Sequence, residues 1–217
     1  MQPYFFPYIG YFQLIYAVDT YINLDHVSFM KSSYMTRNTL KNNIPINLQV
    51  SGGSQNKKCN EVSIIKDDKW VNKFYKTLSL NYKKDPNYSQ IIDTIIDPLI
   101  YWKQTTISEF NLDAIKLICN YLDIKTKFIS TSEGITSNPK NKGLQDITKH
   151  FEGTTYINAI GGQKLYNKED FASQNIDLKF IQMDEVEVDN QYASILDLLF
   201  RYDKEHLKQQ LNKYTLI

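Results

Sequence analysis

Lys31-Ser32-Ser33-Tyr34-Met35-Thr36-Arg37-Asn38 carries two cations and no acid, the composition of a loop that can hold a phosphate or a carboxylate. Just before it, Asp25-His26 reads as the polar end of a short strand over Thr20 to Leu24, and functional chemistry can sit on such an edge. A third stretch, Gln2-Pro3-Tyr4-Phe5-Phe6-Pro7-Tyr8-Ile9-Gly10-Tyr11, is too aromatic and too punctuated for an ordinary helix or strand. Its two prolines favour extended backbone, and Gly10 permits a sharp turn. Helical spacing of Tyr11, Phe12, Leu14, Ile15, Ala17 and Val18 follows, so Tyr8 to Tyr11 lies where the unpaired N–H groups of a helix start could cradle an anion. Tyrosines in or near such turns suit sugar rings or bases. The fourth stretch is Tyr156 to Tyr166, where Gly161-Gly162 would let backbone approach a ligand. Plainer readings stand beside these: an aromatic turn that plugs a core, a solvated basic loop and a Gly-Gly turn without function.

The elements that must position these residues alternate between strand and helix. Thr20 to Leu24, Val27 to Met30, Ile44 to Val50, Glu61 to Ile65, Thr126 to Ser130 and Ile176 to Gln182 read as strands. Asp67-Asp68 offers caps to a helix from about Lys69 to Tyr82, with Trp70, Phe74 and Leu78 on one face. The apolar spacing of Tyr88 to Trp102 is helical, but Pro98 should kink or divide it. Ser108 is a plausible cap for a helix through Tyr121, with Cys119 on its buried face. The polar segment 131–143, rich in Gly and Pro, reads as a mobile lid, and Leu144 to Phe151 as a short helix. A helix from Lys168 to Gln174 follows the Gly-Gly turn, and Ser194 with Asp197 forms an approximate capping box for the last helical region. The expected fold is α/β, a mostly parallel sheet flanked by helices with a mainly helical C-terminal part, in one domain over 1–217 with a helical subregion at 68–125. Ligands bind such folds at the carboxyl ends of strands, so the loops after the predicted strands could converge on one edge.

Composition narrows the partners. With 25 basic and 24 acidic residues, the net charge of +1 gives no field of one sign to attract nucleic acid or a membrane surface. Only two cysteines, Cys59 and Cys119, are present, and neither has neighbours at metal-ligand spacing, so no metal site or disulfide framework is indicated. No long apolar run and no secretion leader is visible, and the expected location is cytoplasmic.

The run from Gln2 to Ile15, followed by Asp25, Lys31 and Arg37-Asn38, resembles the WbqC-like family of bacterial proteins. The likeness extends through Tyr156 to Tyr166, Phe171, Ile176, Gln191-Tyr192 and Ser194 to Asp197. Two departures stand out: family members usually carry several β-prone residues before the Gln-Pro motif, and commonly a Gln where Ser28 stands. The first leaves the opening strand open, and the second any direct role for Ser28. Family members are encoded among genes for O-antigen and other surface polysaccharides, which implies an enzyme acting on a nucleotide-linked amino sugar, most simply by acyl or aminoacyl transfer to its amine. The alternative is a non-catalytic protein that binds or presents such a sugar. On the enzyme reading Asp25 orients or deprotonates the amine, and Lys31 and Tyr11 join it as catalytic candidates. Gln2, Tyr4, Tyr8, Gly10, Arg37, Asn38, Gly161, Gly162 and Tyr166 are the candidate substrate contacts. Pro7 to Tyr11 also occupies the place of the His-x-Gly-His signature of nucleotidyltransferases, with Tyr replacing both His, so the N-terminus is possible ground for a nucleotidyltransferase-like arrangement. Cofactor use stays open between ATP and acyl-CoA, as does the oligomeric state.

Overall fold

The N-terminal loop ends where Tyr8, at φ −72° and ψ 168°, caps helix α1 (Ile9–Tyr16). Gly10 therefore sits inside the first turn of α1, not in a sharp turn before it, because the helix needs only an extended residue at its cap. The computed structural model describes residues 1–131 and 141–217, with the side chains of 141 and 142 left aside. The lid expected at 131–143 thus lies largely outside the described residues.

After α1 come β1 (Thr20–Asn23), β2 (Arg37–Thr39), β3 (Pro45–Asn47), β4 (Gln49–Ser51) and β5 (Ser63–Ile65). Four helices follow: α2 (Asp68–Tyr82), α3 (Tyr88–Ile91), α4 (Asp97–Tyr101) and α5 (Ile107–Tyr121). The chain then forms β6 (Lys127–Ser130), α6 (Asn141–His150), β7 (Thr155–Ala159), α7 (Lys168–Ala172), β8 (Asp177–Met183), α8 (Ile195–Arg201), α9 (Lys204–Gln210) and β9 (Tyr214–Leu216). The class is α/β. Among the described residues β1 pairs with β6 and β7 with β8, both in parallel, while β9 adds to β8 antiparallel. The pairs β2–β3 and β4–β5 are short antiparallel ribbons.

Local chemistry explains most boundaries. Asp67 accepts the Trp70 N–H and starts α2, whose Trp70, Phe74, Leu78 and Tyr82 are buried at helical spacing. Helix α5 is capped by Thr106, two residues before Ser108, because Thr106 and Glu109 satisfy each other's backbone N–H groups in a capping box. Before Pro98 the helix widens into a π turn over Ile92–Ile96, where the Asp97 N–H reaches the Ile92 carbonyl. Val27 to Met30 is not a strand but makes one antiparallel bridge, Ser28 to Lys58. Ile44 to Val50 divides between two ribbons. Ser194 does cap α8, but Asp197 turns into the protein and binds Tyr82 and Arg201.

Phe5 and Phe6 plug the main core. Both rings are wholly buried, and Phe6 stacks on Phe74, which stacks on Trp70. The N-terminal motif thus sends its phenylalanines inward and keeps Tyr4 and Tyr8 only partly buried.

Candidate functional site

Asp25 is 4% exposed and stands two residues beyond the end of β1. Thr131, the residue after β6, donates its hydroxyl to Asp25 Oδ1 at 2.7 Å, and His26 Nδ1 lies 3.1 Å from the same oxygen. The parallel pairing of β1 with β6 makes this meeting possible, since it brings the carboxyl ends of both strands side by side. Beneath them Asn23 donates to Ser108 Oγ at 3.0 Å and to Ser130 Oγ at 3.4 Å. Cys59 donates its thiol to the Asp25 carbonyl at 2.9 Å, and burial together with the nearby Asp25 pushes that thiol up to about 12. It is therefore a protonated packing group at neutral pH, not a nucleophile.

A cavity of about 520 Å³ opens over Asp25, Ser130 and Ser108, with Glu109, Asp113 and Lys116 on its α5 side. Its volume falls within the range of small-molecule sites, and its lining is mainly polar. Carboxylates, hydroxyls and an ammonium group facing one space can position and exchange protons with a polar substrate.

The other predicted residues occupy three places. Tyr11 is buried in the core, where its hydroxyl donates to the Gln2 carbonyl at 2.7 Å and lies 2.5 Å from the Tyr21 hydroxyl. Burial and then the Tyr21 phenol hold its pKa well above the ordinary value, so in this geometry Tyr11 anchors Gln2. Asn38 is likewise buried, donating to the Phe5 and Phe6 carbonyls. Lys31 and Arg37 are exposed, and neither makes an ion pair among the described residues.

Around that basic loop four tyrosines gather. Tyr4 packs against Tyr34 at 5.9 Å and donates to Gln2 Oε1, while Tyr8 packs against Tyr192 at 6.1 Å. Tyr34 and Tyr192 are 63% and 69% exposed, an unusual display of aromatic surface. Burial, then neighbouring phenols, raise the pKa values of Tyr4 and Tyr8. Gly10 makes room for this group: a Cβ there would lie 2.5 Å from Tyr8 Cε2. Its φ is not in the left-handed region, so close approach is the reason for glycine. Gly10→Val is expected to swing the Tyr8 ring out while changing stability by no more than about 1 kcal/mol. Ring resonances of Tyr8 and Tyr192 unchanged from the parent would contradict this.

Gly161 and Gly162 follow β7 in a 3₁₀ turn over Ile160–Lys164. A Cβ on Gly162 would press on Asn158 Nδ2 at 2.9 Å, whereas Gly161 has open space on that side. Tyr166 packs on Phe171, and Asn158 hydrogen bonds its hydroxyl. These residues do not line the Asp25 cavity. Their link to the Asp25 region is a small core in which Leu24 and Tyr166 pack against the same buried cluster.

Thr131, Ser130 and Asn23 were not singled out from the sequence, although the rule that ligands gather at strand carboxyl ends points to all three. Ser108 was read only as a cap.

The fold and this cavity define an α/β protein with a polar site at the carboxyl ends of parallel strands. The chain belongs to the WbqC-like protein family, whose model matches residues 2–209. It is also 24% identical over 217 residues to the uncharacterized protein Rv1507c of Mycobacterium tuberculosis (strain ATCC 25618 / H37Rv), covering 94% of this chain and 93% of that protein. No solved structure matches significantly. No described helix is long and apolar enough to cross a membrane.

Proposed function

We propose that the protein is a cytoplasmic enzyme of bacterial surface-polysaccharide biosynthesis that transfers an acyl or aminoacyl group to the amine of a nucleotide-linked sugar. The observation that carries this reading is Asp25, which accepts the Thr131 hydroxyl, stands beside His26 and lines a polar cavity of about 520 Å³. A carboxylate so held can accept a hydrogen bond from the sugar amine and orient it for attack on an acyl carbonyl, taking the amine's proton as the C–N bond forms and the carbonyl's bond to its leaving group, a CoA thiolate or an adenylate, breaks. Lys31 and Arg37, exposed and without acidic partners among the described residues, bind the phosphates in this reading, and the tyrosines receive the sugar ring. The acyl donor in this reading is either an acyl-CoA or an acid activated by ATP.

Asp25→Asn tests the chemistry. With a nucleoside diphosphate amino sugar and either acyl-CoA or ATP plus a carboxylic acid, amide formation is expected to fall by about 10²-fold or more, with sugar-nucleotide affinity nearly unchanged. Equal turnover by parent and variant sinks the role of Asp25. Arg37→Lys tests binding: affinity is expected to fall roughly 5- to 150-fold, about 1–3 kcal/mol, with the melting temperature unmoved. A lowered melting temperature with intact affinity would make Arg37 structural.

A second reading, a protein that binds and presents the sugar nucleotide without reacting it, is favoured by the exposure of Tyr34 and Tyr192. Tight binding without turnover for either donor type would select it.

A further inference from the structure

Asn23 and Ser130 are register partners at the carboxyl ends of β1 and β6, so their side chains stand next to each other on one face of the parallel pair. Ser108, the second residue of α5, reaches the same place from the helix. Asn23, Ser108 and Ser130 are only 1%, 4% and 8% exposed, yet both serines line the cavity of about 520 Å³ that holds Asp25. The Asn23 amide spends its protons on them, donating to Ser108 Oγ at 3.0 Å and to Ser130 Oγ at 3.4 Å. A hydroxyl that accepts from Asn23 must turn its own proton elsewhere. Neither serine proton meets an acceptor among the described residues, and Asn23 Oδ1 is likewise without a partner there.

The fold alone does not call for these hydroxyls. Thr106 and Glu109 already close the capping box of α5, so Ser108 is not needed at that helix start. Ser130 ends β6, whose backbone pairs with β1 whatever its side chain. Small apolar residues would fill both positions without leaving donors unmatched, so buried hydroxyls kept in this state point to a ligand that matches them. No base hydrogen bonds either serine among the described residues, so neither is set up as a nucleophile. Both stand close to the carboxylate: Asp25 is two residues beyond Asn23, and Thr131, next after Ser130, donates to Asp25 Oδ1 at 2.7 Å.

We propose that Ser108 and Ser130 form a paired hydroxyl-donor site for the carbonyl oxygen of the acyl group, kept facing the cavity by Asn23 as a positioning residue. This rests on the transfer reading above. As the sugar amine attacks, the C–N bond forms, the carbonyl π pair moves onto oxygen and the amine proton passes to Asp25. The two O–H groups hold that oxygen while it carries the charge. Its electron pair then returns to carbon as the bond to the CoA thiolate or the adenylate breaks. The serines keep their protons throughout, acting at the oxygen where Asp25 acts at the nitrogen.

The test compares uridine diphosphate glucosamine with its N-acetyl derivative, which carries the carbonyl, and follows amide formation with acetyl-CoA or with ATP plus acetate. Ser108→Ala and Ser130→Ala are each expected to weaken binding of the N-acetyl compound about 10-fold and to leave that of the amine within about twofold. Each should lower kcat about 10²-fold with KM for the amine unchanged. Asn23→Asp should match the double serine variant, because its carboxylate draws both serine protons to itself. Should it fail to fold, the serine variants, which each lose one oxygen, decide alone. A folded Asn23→Asp protein with the parent's affinities and rate would mean that Asn23 faces the serines with its oxygen, and overturns the proposal. Full turnover in the serine variants removes the hydroxyl pair and leaves the transfer reading standing. A parent that turns over neither donor, with variants that selectively lose the N-acetyl compound, sinks the transfer reading and keeps the pair as a carbonyl site. Equal affinities of parent and variants for both compounds, or a parent that binds neither, overturn the pair.

Discussion

Asn38→Ala is expected to lower unfolding free energy by about 2–4 kcal/mol, because several buried polar groups lose a partner together. Asn38 Nδ2 donates to the Phe6 carbonyl at 2.7 Å and to the Phe5 carbonyl at 3.2 Å, while Oδ1 accepts the Thr39 N–H. Phe6 has φ +44°, in the left-handed region that bulky residues avoid, so its backbone must be held by its surroundings. Ser194 Oγ also donates to the Phe6 carbonyl, which keeps the loss below that of an orphaned group. Asn38→Asp should be worse than Ala, since a carboxylate would face two carbonyl oxygens. Denaturant titration of both variants checks the order, and an Ala variant within about 0.5 kcal/mol of the parent would show that the loop holds itself.

Asp197→Ala should cost about 3–5 kcal/mol, the range for breaking a buried charged pair. Asp197 is fully buried, accepts the Tyr82 hydroxyl at 2.7 Å and binds Arg201 Nη1 at 3.0 Å. Burial and then the Asp197 bond raise the Tyr82 pKa, so that phenol remains a donor. Removing the carboxylate leaves the hydroxyl proton without its acceptor, although the oxygen still accepts the Lys41 N–H and Arg201 keeps Asp189. Tyr82→Phe removes one neutral donor and should cost less, about 1–2 kcal/mol. Equal losses for the two variants would mean that Asp197 matters only through Tyr82.

These two positions show where reading the sequence succeeds and stops. Helix α2 was legible because its cap and apolar stripe are local: Asp67 serves Trp70, and Trp70, Phe74 and Leu78 recur at helical spacing. The cap of α5 was displaced because Ser108 and Thr106 are both good caps, and only Glu109, three residues after Thr106, decides between them. The break before Pro98 was legible, but its form was not. Lacking an N–H, Pro98 leaves Thr94 without its usual donor, and the chain answers upstream with a π turn. Asp25 was visible as a polar strand end. Its partner Thr131 lies 106 residues away and reaches it only through parallel pairing, which no local pattern encodes. Asn38 and Asp197 were read as a ligand contact and a capping residue, since their burial depends on elements not yet packed in a one-dimensional reading.

The wiring of the N-terminal loop also sets when it can form. Asn111 donates to the Pro3 carbonyl, Ser194 to that of Phe6 and the Ile195 N–H to that of Pro7, across sequence separations of 108 and 188 residues for the first two. Contacts so distant are late events in folding, because the chain must close its largest loops before they contribute. During synthesis this loop would leave the ribosome well before α8 and yet settle only after it. In pulse-labelled hydrogen exchange the Phe5 amide, which donates to the Tyr34 carbonyl, should gain protection with the final phase, and protection in the earliest phase would refute that order. A nascent chain stopped short of Ser194 would carry the tyrosines and the basic loop intact in sequence, yet lack the contacts that hold the loop in place.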